Sequence, residues 1–82
     1  MSQYTFEVLN VQPANVTQMV GRLSQFATVT PRNPSMWRIE GAGIVADAVY
    51  DSDAQKVTVT IIDKPFYVSV GLIKQKVMEA LA

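Results

Sequence analysis

The chain contains no histidine and no cysteine among its 82 residues. Histidine is the commonest general base and metal ligand, and cysteine is the most reactive nucleophile, so Ser-His-Asp and Cys-His catalytic arrangements are excluded. Without cysteine there can be no disulfide or thiolate zinc site, and cysteine usage gives no information on the redox compartment. A domain of this size must therefore be stabilised by its hydrophobic core alone.

Charge of either sign is scarce, at 17% of residues, and seven basic residues balance seven acidic ones. Nothing here resembles the electrostatic footprint of a nucleic-acid-binding protein, so we expect no nucleic-acid partner. No apolar run approaches the roughly 18 residues of a membrane-spanning helix. The N-terminal sequence MSQYTFEV lacks the basic start and apolar centre of a signal peptide. The sequence predicts a soluble, cytoplasmic protein without a membrane span.

Hydrophobic residues, in contrast, make up 49% of the chain. Part of this surplus is expected to reach the surface, where an apolar patch usually marks a protein partner or a second copy of the chain. We therefore expect residues 1–82 to form a single domain that assembles as a homodimer or binds a protein partner.

The first third of the chain predicts a strand and an amphipathic helix. Residues 4–8 alternate between apolar and polar side chains, which is the pattern of a strand with one buried face. Pro13 is expected to interrupt the chain, after which Asn15 caps a helix and Gln18 completes a capping box. Gly21 within the helix indicates close approach to a neighbouring backbone. The apolar stripe of this helix consists of Val16, Met19, Val20, Leu23 and either Phe26 or Ala27.

The middle of the chain predicts strands separated by polar segments. Residues 28–30 are a candidate short strand, and residues 31–35 are expected to form a loop because they contain two prolines and an asparagine. Residues 36–50 are extended but interrupted by glycines at 41 and 43. We favour a bulge or sharp bend there, because it keeps Asp47 outside the core. The same bend aligns Trp37 and Ile39, both expected in the core, with Ile44, Ala46, Ala48 and Tyr50.

The last third predicts a hairpin connection, a strand and a helix. Residues 51–55 are polar, and residues 56–63 are β-branched and alternating, which gives the strongest strand prediction in the chain. Pro65 ends that strand and Ser69 is the expected N-cap of the last helix. The stripe of this helix is Val70, Ile73, Val77, Ala80 and Leu81, and Phe66 would extend it by one turn if the helix began at Pro65.

Together these elements predict an α+β fold, a two-layer sandwich. A three- to four-stranded antiparallel sheet has two helices on one face, in the order β-α-β-β-(β)-α. The other face of the sheet is expected to be polar with interspersed apolar residues, namely Thr5, Glu7, Arg38, Glu40, Val45, Val49, Thr58, Thr60 and Ile62.

No motif of catalysis or cofactor binding is present. The segment Asp51-Ser52-Asp53 begins like an EF-hand calcium loop. However, position five of the loop is Gln55, position six is Lys56 where glycine is needed, and position twelve is not glutamate. A solvated turn explains the segment. The Gly41 to Gly43 run does not open a helix, as phosphate-binding glycine loops do. We therefore expect no enzyme activity, no metal and no cofactor.

The helix–strands–helix part of this order is similar to the double-stranded RNA-binding domain. That domain has a basic cluster at the start of its second helix. The corresponding segment here, Ser-Val-Gly-Leu-Ile at residues 69–73, carries no charge. The comparison therefore gives no support for RNA binding. Arg32, Arg38, Lys74 and Lys76 are explained by ordinary solubility.

A second likeness covers about the C-terminal half of the chain. Its residues are 37–39 with the tryptophan, 41–43 with the glycine pair, 56–61, Lys64-Pro65 and 73–81. In this layout the chain resembles the small polyhydroxyalkanoic acid system proteins of bacteria, although its first helix is less rich in charge. The resemblance implies a small cytoplasmic protein associated with storage granules, without an established activity and without a catalytic motif.

Two functional hypotheses follow from these patterns. The first is a non-catalytic interaction module that self-associates or binds a protein partner or an apolar surface. Its candidate residues are Leu72 and Met78, which lie off the helix stripe, with Phe66, Tyr67, Asp63 and Lys64 in the preceding loop. The alternative is a small-molecule binder or minor enzyme with a cleft between sheet and helices, where Tyr67, Asp63, Lys64 or Tyr50 would supply polar groups.

Overall fold

A computed structural model describes residues 4–25 and 27–81 of the chain. The five strands form one antiparallel sheet in the order β1-β5-β4-β3-β2. The predicted α+β fold with an antiparallel sheet and two helices is confirmed, with five strands instead of three or four. The elements are β1 (Tyr4–Val8), α1 (Pro13–Leu23), β2 (Thr28–Asn33), β3 (Met36–Gly41), β4 (Ile44–Asp51), β5 (Lys56–Asp63) and α2 (Val70–Leu81).

One hydrophobic core joins both helices to one face of the sheet. The buried strand residues occur at every second position, which places them on the same face. Most residues of the two predicted helix stripes are buried, while Val20, Ala27 and Val70 are partly buried. Phe26 lies outside the described residues. Trp37 and Ile39 pack against this core as predicted. The core consists of Phe6, Val11, Val16, Met19, Leu23, Ala46, Ala48, Val57, Val59, Ile61, Ile73, Val77, Ala80 and Leu81.

Strand β2 extends through the segment that the sequence predicts to be a loop. Pro31 pairs opposite Trp37 within this strand, and the connection to β3 shrinks to Pro34 and Ser35. The Asn33 side chain accepts a hydrogen bond of 2.9 Å from the Ser35 amide in that turn. Strand β2 lies at the edge of the sheet. A proline, which has no N–H to donate, is tolerated at an edge, so the prediction of a loop over residues 31–33 is wrong.

The connection between β3 and β4 is a two-residue hairpin turn and not a bulge. Gly41 pairs opposite Ile44, and Ala42 and Gly43 between them have φ values of 54° and 79°. These are the φ signs of a type I′ turn. Directly opposed residues share a face, so the turn aligns Ile39 with Ala46. The predicted face alignment is therefore confirmed. Of the two predicted mechanisms the bulge is wrong, and the sharp bend takes the form of this turn.

Helix α1 begins three residues earlier than predicted. Pro13 is its first residue and Gln12 its N-cap, an arrangement that suits proline because the first helical N–H has no partner within the helix. Asn15 instead accepts a hydrogen bond of 3.1 Å from the Gln12 amide. Its amide group also donates to the Leu81 carbonyl at 3.0 Å. Gly21 faces open space, since a Cβ there would meet no atom within 4 Å, so the predicted close approach is wrong.

Helix α2 begins as the sequence predicts. The Ser69 hydroxyl accepts a hydrogen bond of 3.1 Å from the Leu72 amide, which satisfies one of the free donors of the first turn. Because the helix starts at Val70, Phe66 does not belong to its stripe. Phe66 is 96% exposed, so the prediction that it extends the core is wrong.

The opposite face of the sheet is polar and holds two ion pairs. Arg38 donates to Asp47 with two hydrogen bonds, the longer of 3.2 Å, and Lys56 donates to Glu7 at 2.8 Å. The hydrogen bonds that Arg38 donates to Asp47, helped by the negative charge of the carboxylate, raise the pKa of Arg38 above its ordinary value. The hydrogen bond and charge of Glu7 raise the pKa of Lys56 in the same way. Asp47 therefore lies outside the core, as predicted.

Candidate binding cavity

An apolar cavity of about 400 Å³ lies between the sheet and the two helices and opens to solvent. Its floor is formed by β3, β4 and β5, and its walls by the C-terminal end of α1, the loop before α2 and residues 72–77 of α2. Apart from Gly41, Ala46 is the smallest residue that the three strands contribute to this floor. The lining residues are Leu23, Ala27, Ile39, Gly41, Ala42, Ile44, Ala46, Val59, Val68, Leu72, Ile73, Lys76 and Val77.

The side-chain sizes explain why space remains here. The neighbouring alanine on the same strand face, Ala48, is fully buried without lining the cavity, so other side chains fill the volume above it. Helix α1 ends at Leu23, and Ala27 then continues the wall with only a methyl group. A small floor residue and a small wall residue thus coincide at one end of the core.

The exposed lining residues Ala42, Leu72 and Lys76 mark the mouth of the cavity, and the β3–β4 turn near it contacts the loop before α2. A Cβ built on Gly43 would lie 3.1 Å from the Pro65 Cγ atom, so the turn and this loop are in close contact. Leu72 lines the cavity and is still 46% exposed. Phe66 and Tyr67 immediately precede Val68, which lines the cavity. Their rings contact each other edge to face, with centroids 5.6 Å apart.

Lys76 is the one charged group among the described residues that line the cavity. Its side chain is 62% exposed, and its ammonium nitrogen lies 3.8 Å from a Glu79 carboxylate oxygen. A lysine in this position contributes its aliphatic stem to an apolar wall and keeps its charge in water. The mouth therefore carries a positive charge beside an apolar interior.

Of the six residues that the sequence singles out, Leu72 lines the cavity. Phe66 and Tyr67 contact each other and precede the lining residue Val68 in the chain, without lining the cavity themselves. Met78 is 49% exposed but lies about 120° from Leu72 around the helix axis. Met78 therefore belongs to a different surface.

The two charged candidates lie beside the cavity without lining it. Asp63 is at the end of β5, opposite Val45. The Lys64 ammonium lies 5.6 Å from the centre of the Tyr4 ring, a distance at which a cation is attracted to the ring face. The ring contact gives Lys64 a partner within the fold, while the predicted role of both residues in an interaction stays a prediction.

Tyr50, a polar candidate of the alternative hypothesis, has a structural partner. Its hydroxyl donates a hydrogen bond of 2.8 Å to the Val11 carbonyl, and it does not line the cavity. The prediction that Tyr50 supplies a polar group to the cleft is therefore wrong. A cleft between sheet and helices is present, but its lining is almost entirely apolar. The small-molecule hypothesis called for several polar groups there.

The sequence reasoning missed Lys76 and Ala46 as members of this site. Two signals were available. Leu72 and Lys76 are four residues apart on one helix, so they share a side of it. Ala46 and Ala48 are small residues on the buried face of a central strand, where larger side chains are usual.

The lining offers no acid–base pair, because Lys76 is its one titratable side chain among the residues with described positions. Within residues 4–25 and 27–81, no three potential metal ligands lie together. Neither described helix has the length and apolarity needed to cross a membrane. What the arrangement can do is remove an apolar group from water.

In comparisons with known proteins, no family model, no curated protein and no solved structure matches the chain.

Proposed function

We propose that the chain is a non-catalytic binding module that takes up an apolar group in the cavity between sheet and helices. The observation that supports this proposal is the cavity itself, an open apolar volume of about 400 Å³. This size falls within the roughly 300–1,000 Å³ of small-molecule sites. We further propose that sheet and helices form the two layers of a sandwich, with the site between the layers.

The energetics favour an apolar ligand. Each methylene group moved from water into the cavity contributes about 0.8 kcal/mol. Association and loss of ligand freedom oppose this gain by several kcal/mol, so a ligand of only a few carbons would bind weakly. An eight-carbon chain combines useful burial with measurable solubility, which makes 1-octanol a suitable neutral probe.

The experiment compares two variants that add the same charge to the same helix. Leu72→Glu places a carboxylate in the mouth, and Met78→Glu places one at a similarly exposed position about 120° away. Amide chemical shifts recorded during a 1-octanol titration give the dissociation constant of each protein. We expect Leu72→Glu to weaken binding about tenfold, because the carboxylate must be desolvated next to the chain, and Met78→Glu to leave it unchanged.

A folding control accompanies this comparison. Helix electrostatics favour a carboxylate near the N-terminus of a helix over one near its C-terminus, but Leu72 also contributes apolar area to the cavity wall. The melting temperature of each variant is therefore measured, and binding is compared only between folded proteins. Equal binding by both variants, or no binding of octanol by the unaltered chain, would refute the proposed function.

A second candidate function is self-association through the aromatic corner, which we define as Phe66 and Tyr67. These rings are 96% and 75% exposed, and exposed aromatic pairs are characteristic anchors of protein interfaces. Light scattering coupled to size exclusion tests this candidate. We expect a homodimer that the double variant Phe66→Ser, Tyr67→Ser converts to a monomer. A monomer at millimolar concentration before any substitution would exclude it.

The other expectations from the sequence remain proposals. These are the cytoplasmic location, the lack of enzyme activity, the lack of a nucleic-acid partner and the resemblance to the polyhydroxyalkanoic acid system proteins. The apolar lining is compatible with each of them, and neither the cavity nor the aromatic corner depends on any of them.

A further inference from the structure

We infer that the ligand is an amphipathic anion, with an acyl chain of medium length in the cavity and its carboxylate paired with Lys76. This inference rests on the proposed function and adds to it the chemical class of the ligand. The observation that supports this inference is the positive charge of Lys76 at the mouth. A cavity of the same volume with a neutral or acidic mouth would give no reason to choose an anion.

The position of Lys76 suits a head group at the mouth. Lys76 follows Leu72 by one helical turn, so both side chains lie on the cavity side of α2. The Lys76 ammonium group has three hydrogen-bond donors, and its flexible side chain can turn them towards a ligand. A carboxylate held at the mouth can therefore reach the ammonium group while its chain remains inside.

Glu79 competes with the ligand only weakly. The Lys76 ammonium and the Glu79 carboxylate are 3.8 Å apart, and both side chains are more than half exposed. Exposed pairs of this kind contribute little to stability. Glu79 also accepts a hydrogen bond of 3.4 Å from Gln75, which gives it a partner when Lys76 turns towards the ligand.

The volume sets the length of the chain. At the packing density of protein interiors, about 400 Å³ holds on the order of ten methylene groups, each about as large as a water molecule. Chains of roughly eight to ten carbons therefore fill the cavity. Much longer chains would extend past Leu72 into water, where further methylene groups add no affinity.

The test uses three probes with eight carbons in a row, of which the last is the carboxyl carbon in octanoate, and with different head groups: octanoate, 1-octanol and octyltrimethylammonium. Binding is measured by amide chemical shifts at neutral pH and low salt, where the carboxylate is ionised. We expect octanoate to bind more tightly than 1-octanol and the cation to bind most weakly. Raising the salt concentration to about 0.5 M should reduce the difference, since exposed charges are then screened.

Two lysine variants assign the charge effect to one residue. Lys76→Gln removes the charge at the mouth, and Lys74→Gln makes the same change about 160° away on the same helix. We expect Lys76→Gln to lower the ratio of octanoate affinity to 1-octanol affinity about two- to fivefold, because any loss of apolar wall affects both probes. Lys74→Gln should leave this ratio unchanged.

The outcomes separate this inference from the proposed function. If all three probes bind equally, or if both lysine variants weaken octanoate equally, the assignment of an anionic head to Lys76 is wrong while the apolar site stands. If no probe binds, both proposals fail. Preferential loss of octanoate in Lys76→Gln supports both.

Discussion

Filling the cavity from its floor should stabilise the protein. Ala46 is 3% exposed and lines the cavity, so Ala46→Leu directs three additional carbon atoms into open space. At about 0.8 kcal/mol for each methylene group, the gain is at most about 2 kcal/mol. Imperfect packing of the new side chain reduces this value. We expect the free energy of unfolding to rise by about 1 kcal/mol, and octanol binding to weaken because the volume is occupied.

Ala48→Leu is the matched control for this variant. Ala48 lies two residues further along the same strand face and is fully buried without lining the cavity. The same three carbons there must displace packed neighbours, which costs about 1–3 kcal/mol. Urea unfolding followed by Trp37 fluorescence gives the free energy of unfolding of both variants. Equal dependence of this free energy on urea concentration shows that the unfolding transition itself is unaltered. Destabilisation of similar size in both variants would show that no usable space exists above Ala46.

Three further predictions concern the surroundings of the site. Gly43→Ala should lower the free energy of unfolding by about 1–2 kcal/mol, because residue 43 has a φ of 79° and a left-handed backbone is costly for alanine. Urea unfolding measures this change, and an unchanged midpoint concentration of urea would contradict the turn. Tyr50→Phe should cost about 1 kcal/mol, through loss of the hydrogen bond to the Val11 carbonyl, and leave octanol binding unchanged; weaker octanol binding would place the ring in the site. Glu7 raises the pKa of Lys56 in the folded protein above its ordinary value of 10.5. The Lys56–Glu7 pair therefore stabilises the fold fully below pH 10.5, and this contribution is lost as the pH rises through the pKa of Lys56 in the folded protein. Melting temperatures between about pH 9 and pH 12 should fall more steeply for the unaltered chain than for Glu7→Gln, and parallel curves would contradict the linkage.

Periodicity predicted the elements whose pattern is local. The stripes of both helices and the alternation of β5 follow from the side chains of one segment. The extent of β2 could not be obtained in this way, because a proline is acceptable in a strand only when that strand lies at an edge. Strand order is a property of the whole sheet. The sequence could not distinguish a bulge from a sharp bend at Gly41 to Gly43 for a related reason, since a bulge and a two-residue turn give the same alignment of faces.

The candidate site was less accessible to sequence reasoning than the fold. Leu72 was found because it departs from the helix stripe, which is a local signal. Phe66 was wrongly assigned to the core because its spacing fits the stripe, although the helix begins after it at Val70. The cavity depends on the sizes of side chains from three strands, two helices and the segments beside them. No window of sequence shows that Ala27 and Ala46 face the same space.

The most direct test of the central claim is the position of the probe in the complex. Intermolecular nuclear Overhauser effects between the alkyl protons of 1-octanol and the methyl groups of the protein report which side chains the chain contacts. We predict contacts to Ile39, Val59 and Leu72, and none to Met78 or to Val49 on the opposite face of the sheet. Contacts confined to Met78 or Val49, or a bound probe with no contact to Val59, would contradict the account.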